Sequence, residues 1–146
     1  MAERTSSTIR IAESPSRIMA VIADLPSYPE WTGSVQSVDV LSVYDDERER
    51  PARATFVLDA GAIKDTYTLE YSWLDDQEVT WTLVEAQMLT AMTGAYRLTP
   101  TADGETDVEY ELTLELKIPM IGLLRRKAEK VVTDTALKEL KKRVEA

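Results

Sequence analysis

The sequence predicts an α+β fold: a curved antiparallel sheet of about seven strands around a long C-terminal helix, with two short helices after the first strand. Three observations predict it. Segments of alternating apolar and polar residues follow one another from residue 35 to residue 118. From Pro119 the apolar spacing changes to three and four residues. A proline-broken apolar stretch, 14–34, separates the first alternating segment from the others.

Residues 5–13, TSSTIRIAE, set Ile9 and Ile11 against Thr8, Arg10 and Ala12, which is the period of a strand. Ser14 then suits a helix N-cap, and Pro15 the first helical position, where a missing N–H costs nothing. Ile18, Met19, Val21, Ile22 and Leu25 form one apolar stripe, predicting a short helix over 15–24. Pro26 and Pro29 break it, leaving one further turn around Tyr28–Thr32. Strands are predicted at 35–45, 52–61, 63–76, 78–86, 92–100 and 106–118. The last is the clearest, with Val108, Tyr110, Leu112, Leu114 and Leu116 opposite Asp107, Glu109, Glu111, Thr113 and Glu115. One apolar and one wet face, joined by short Asp- and Gly-bearing turns, describes an antiparallel meander. Leu124, Ala128, Val131, Val132, Thr135, Leu140 and Val144 then predict an amphipathic helix of about 24 residues, roughly 36 Å long. It is expected to lie across the apolar face of the sheet, and the whole of 1–146 to form one domain.

Composition removes several classes of chemistry. The chain has no His, no Cys and no Asn, so Ser-His-Asp and Cys-His nucleophiles and Cys/His zinc sites are excluded. No glycine-rich phosphate loop is present. The net charge is −9, with a local +4 from Met120 to Ala146, so the remaining chain carries −13. An acidic body argues against nucleic acid as the partner. The basic terminal segment reads as a solvated helix face; its start, Met120 to Lys127, also has the composition of a patch for transient membrane contact or dimerisation. No apolar run is long enough to span a bilayer, and no apolar signal segment opens the chain, so a cytoplasmic monomer or homodimer is expected.

The element order, with SPSRIMAVIADLPSYPEWTGSVQSVDVL at 14–41 and its Asp24…Tyr28-Pro29-x-Trp31 motif, resembles the helix-grip fold of the START and birch-pollen-allergen (SRPBCC) superfamily. More narrowly, it resembles the bacterial polyketide cyclase/dehydrase and lipid-transport branch. The resemblance implies an apolar cavity between sheet and long helix, gated by the short helices and their neighbouring loops.

The residues support a partly hollow interior independently. Tyrosines and tryptophans crowd the apolar strand faces, and each O–H or N–H needs a partner that a dry core does not supply. Candidate cavity-lining residues are Phe56, Tyr67, Tyr71, Trp73, Trp81, Tyr96 and Tyr110 from strands, with Leu124 and Ala128 from the terminal helix. Tyr28 and Trp31 either plug one end of the core or line the cavity mouth. Among the carboxylates near strands, Asp59, Asp65, Glu70 and Glu85 are expected at the surface, with a bulge as the one device that turns Glu85 inward; Glu70 and Arg97 face water by parity. No catalytic residue and no metal or cofactor site emerges. The expected function is binding or transport of a hydrophobic small molecule (lipid, quinone-like or aromatic polyketide-like). The alternatives are a polyketide cyclase or dehydratase using a cavity carboxylate or tyrosine, and an accessory protein acting through its surface.

Overall fold

The computed structural model describes residues 5–59, 64–116 and 122–146, with side-chain surroundings given for all of these except 116 and 122–125. The strands are β1 (Thr5–Ile11), β2 (Val35–Val43), β3 (Pro51–Asp59), β4 (Lys64–Leu74), β5 (Glu78–Ala86), β6 (Leu89–Pro100) and β7 (Thr106–Leu116). The helices are α1 (Pro15–Ala23), the single turn α2 (Tyr28–Trp31) and α3 (Gly122–Glu145), with a 3-10 turn at Leu25–Ser27. All strands join one antiparallel sheet in the order β1-β7-β6-β5-β4-β3-β2. β1 therefore leaves the meander and returns beside the last strand.

Register shifts interrupt the β2–β3, β4–β5 and β6–β7 ladders. Each bulge bends its strand and adds twist, so a meander of long strands curls instead of lying flat. Close packing sets a further detail. Trp81 on β5 pairs with Gly94 on β6, and a Cβ at position 94 would fall 2.3 Å from the indole. Glycine there lets the indole lie flat over the neighbouring strand.

α1 starts as expected on Pro15, but the Ser14 hydroxyl makes no capping bond to the helix backbone; its Oγ lies 3.3 Å from Ser16 Oγ. Ile18, Met19 and Ile22 are buried, and α1 packs on α3. The long helix differs from expectation in placement. Its strand contacts are with β1 and β7, at one side of the sheet, rather than across the whole apolar face. Two polar anchors, the first of them buried, hold it there. Glu129, fully buried, accepts from Leu114 N–H at 2.6 Å and from the Thr5 hydroxyl at 2.7 Å. The Ser7 hydroxyl donates to Asp134 at 2.6 Å. The C-terminal half of α3 is anchored by Leu137, Leu140 and Val144. Among the described residues the inner faces of β3–β5 thus have no helix packed closely on them.

The convex face is wet and cross-linked by ion pairs. Arg97 meets Glu78, Glu109 and Glu111, and Arg53 meets Glu70. Glu85 stays exposed although a register shift lies beside it in the β4–β5 ladder. Asp65 is the exception among the carboxylates. It is 5% exposed and accepts the backbone N–H groups of Gln87, Met88 and Leu89 at 2.8–3.0 Å, closing the β5–β6 connection.

Candidate functional site

The space between the inner sheet face and α3 is a cavity of about 490 Å³. Its size and lining fall in the range of small-molecule sites. The cause of the hollow lies in α3. Ala128, Val132 and Ala136, spaced by four, form the row that faces the cavity, and all three are small. The next row, Lys127, Val131, Thr135 and Glu139, forms the rim. Val131 is 58% exposed, and Lys127 and Thr135 are also exposed, so the cavity opens to solvent along this flank of the helix. Opposite them stand Trp31, Thr32, Ser34 and Val35. Glu139 Oε2 accepts from Gly33 N–H at 2.9 Å, and Arg143 pairs with Glu30 at 3.2 Å, tying α3 to the α2 segment.

The sheet side is an almost continuous aromatic wall. Phe56 stacks on Tyr67 with ring centres 5.4 Å apart, Tyr71 lies 5.9 Å from Trp81, and Trp81 lies 5.6 Å from both Tyr96 and Tyr110. Tyr28 joins it, edge-on to Trp31 at 5.0 Å and 6.2 Å from Phe56. The Tyr28 hydroxyl donates to Ile22 O. Tyr67, Tyr71, Tyr96 and Tyr110 are each at least nine-tenths buried. Among the described residues their hydroxyls have no hydrogen-bond partner in the protein. The only fully occluded side-chain polar atom without a partner there is the Trp31 indole nitrogen. The four phenol oxygens therefore border open space.

Of the residues singled out in the sequence, Tyr28, Trp31, Phe56, Tyr67, Tyr71, Trp81, Tyr96, Tyr110 and Ala128 line this cavity. The side chains of 120–125, Leu124 and most of the Met120–Lys127 patch among them, lie outside the described residues; Arg126 and Lys127 are exposed. Trp73 is a correction. It stacks on Tyr71 but sits beyond the cavity, its indole N–H donating to Pro51 O at 2.7 Å and its ring lying under Arg50 at 5.2 Å. Strand parity gave its face correctly; position along the strand placed it past the cavity's end. Sequence reasoning missed Met92, Val132, Ala136 and Glu139. The four-residue spacing of small side chains at 128, 132 and 136 was the available signal.

Burial is the first cause that raises the pKa of Tyr28, Tyr67, Tyr71, Tyr96 and Tyr110 above the ordinary 10.0. These phenols stay protonated across the ordinary pH range and act as donors rather than bases. A folded-state pKa above the unfolded one leaves stability intact below pH 10.0 and removes it as pH rises toward the folded value. Denaturation midpoints should accordingly fall steeply above about pH 10. Replacing Tyr71 and Tyr96 with Phe should flatten that fall; an unchanged slope would contradict this origin.

Glu139 is the one carboxylate in the described lining, and Lys127 the one cation. Asp59, Glu70 and Glu85 are exposed, and Asp65 is occupied by its three backbone bonds outside the lining. Among the described residues no helix is long and apolar enough to cross a membrane.

Comparison with known proteins agrees with this architecture. The model of the family described as polyketide cyclase / dehydrase and lipid transport matches residues 11–141. No curated protein matches the chain. Among solved structures, a START superfamily protein from Mycobacterium smegmatis is similar at 20% identity, with 97% of each chain covered and a TM-score of 0.89. A protein from Thermus thermophilus is similar at 25% identity, with 97% of each chain covered and a TM-score of 0.79. The Zhui aromatase/cyclase from a Streptomyces species is similar at 13% identity, with 98% of this chain and 93% of that one covered and a TM-score of 0.79. With 131 of its 146 residues inside the match and a helix-grip sheet around a ligand-sized cavity, the chain belongs to the polyketide cyclase / dehydrase and lipid transport family.

Proposed function

We propose that the protein binds and carries a hydrophobic small molecule (lipid, quinone-like or aromatic polyketide-like) in the cavity between β3–β7 and α3, by binding rather than catalysis. The observation that carries this is the cavity itself: about 490 Å³, walled by aromatic and aliphatic side chains and opening at one flank. Catalysis is the weaker reading because the one carboxylate in the described lining already accepts a backbone N–H at the rim. Burial raises the pKa of the cavity tyrosines, which favours them as hydrogen-bond donors over bases. A ligand that binds only the folded chain raises stability by about 2.7 kcal/mol at a hundredfold excess over its Kd. Thermal denaturation and tryptophan fluorescence against a panel of lipids, quinones and aromatic polyketides should therefore show a raised midpoint for at least one class. Silence across the panel would overturn the proposal.

A second reading, a cyclase or dehydratase, is favoured by one observation: Glu139 and the tyrosine hydroxyls share one cavity, and Glu139 is among the charges that push Tyr96 upward. It requires turnover that Glu139→Gln abolishes while ligand affinity is kept.

A further inference from the structure

We infer that the ligand is uncharged and that its buried end carries hydrogen-bond-accepting oxygens of the ketone, quinone, ester or ether type. This rests on the cavity being a ligand site and adds what the site selects. The argument is a census of polar groups. Tyr67, Tyr71, Tyr96 and Tyr110 contribute four phenol hydroxyls to one space, and among the described residues none has a protein acceptor. Tyr96 and Tyr110 pack edge to face with ring centres 4.6 Å apart, so both belong to one stretch of the wall. The remaining inner wall is apolar: Leu69, Leu112, Leu114, Met92 and Phe56.

A buried donor left without an acceptor costs on the order of 1–3 kcal/mol. In the empty cavity, water satisfies such groups, and an entering ligand displaces it. A hydrocarbon surface gives nothing back for those lost bonds, whereas a carbonyl oxygen replaces them. Sites built to hydrogen-bond a ligand discriminate strongly against the analogue that lacks the matching group.

Charge is selected against by the same geometry. The two charged side chains of the described lining, Lys127 and Glu139, both stand on the rim row of α3. Among the described residues no cation lies in the inner wall, and the phenols remain neutral. A carboxylate taken to the aromatic wall would be an anion without a counter-charge, which is costly in an apolar interior. A free fatty acid entering head first is thus disfavoured.

The test uses the full chain and three naphthalene probes of similar shape in calorimetric titrations: methyl naphthyl ketone, isopropenylnaphthalene, in which carbon replaces the carbonyl oxygen, and naphthoate. The ketone should bind at least about tenfold tighter than the hydrocarbon, the worth of one net hydrogen bond. Naphthoate should bind more weakly than the ketone. Single Tyr→Phe changes at 67, 71, 96 and 110 should keep the fold, because each removes only a hydroxyl with no partner among the described residues. At least one should bring the ketone-to-hydrocarbon ratio close to unity without weakening the hydrocarbon. Equal binding of ketone and hydrocarbon, or tightest binding of naphthoate, would overturn the inference while leaving the cavity as a ligand site. Failure of all three probes, together with silence in the thermal panel, would remove the ligand site itself.

Discussion

Replacing Ala136 with phenylalanine should abolish ligand binding and leave the protein folded. Ala136 is partly buried in the inner row of α3, flanked by Val132 on the same stripe, and its methyl faces the cavity. A phenyl ring there projects into existing space rather than into close-packed neighbours, so the usual overpacking cost of about 1–3 kcal/mol does not apply. The ring instead buries apolar area against the tyrosine wall, a gain of roughly 1.5–3 kcal/mol if it is fully covered. We expect affinity for any probe that binds the wild type to fall by at least about a hundredfold, equivalent to roughly 2.7 kcal/mol. The denaturation midpoint should be unchanged or raised. Calorimetry and thermal unfolding on the same two proteins check both halves. Retained affinity would mean that the ligand binds elsewhere; a lowered midpoint would mean that position 136 is packed rather than open.

The largest stability effect is expected at Asp65. Its two carboxylate oxygens accept three successive backbone N–H groups, those of Gln87, Met88 and Leu89. Removing the side chain takes the acceptor from three donors, of which the Leu89 N–H is buried and the other two part-buried, each bond to a charged acceptor being worth about 1.5–3 kcal/mol. Asp65→Ala should therefore lower unfolding free energy by on the order of 4 kcal/mol in urea denaturation, far beyond an ordinary surface substitution. Leu89 and Met92, which follow that connection on β6, line the cavity, so the variant should also weaken ligand binding. A loss below about 1 kcal/mol would show that water replaces the carboxylate without difficulty.

How much of this was legible in the sequence depends on the range of the interaction concerned. The alternation in β7 and β4 located strands and faces because strand side chains obey a local period of two. α3 was equally legible: the expected length of about 24 residues agrees with the 24 observed, Gly122–Glu145. The aromatic wall followed from those faces. Asp65 and Glu129 were not legible, because each is buried by partners at least fifteen residues away, and nothing local marks a carboxylate that satisfies a distant backbone. The position of the cavity along the strands was not legible either. Tyr71 and Trp73 share a face, yet one lines the cavity and the other lies under Arg50, since depth along a strand is set by where the helix crosses. The hollow itself was written in a pattern read for another purpose. Ala128 and Val132 were counted as helix periodicity and Ala136 was passed over, whereas the small volume of all three opposite large aromatics is what keeps the interior open.

The cavity as the place where a hydrophobic ligand sits is tested most directly by NMR on methyl-labelled protein with a bound aromatic probe. Intermolecular contacts should join the probe's ring protons to the methyl groups of Ala128, Val132, Ala136 and Met92, all in the lining. Contacts confined to Leu41 and Val43, exposed on the edge strand β2, would contradict that placement.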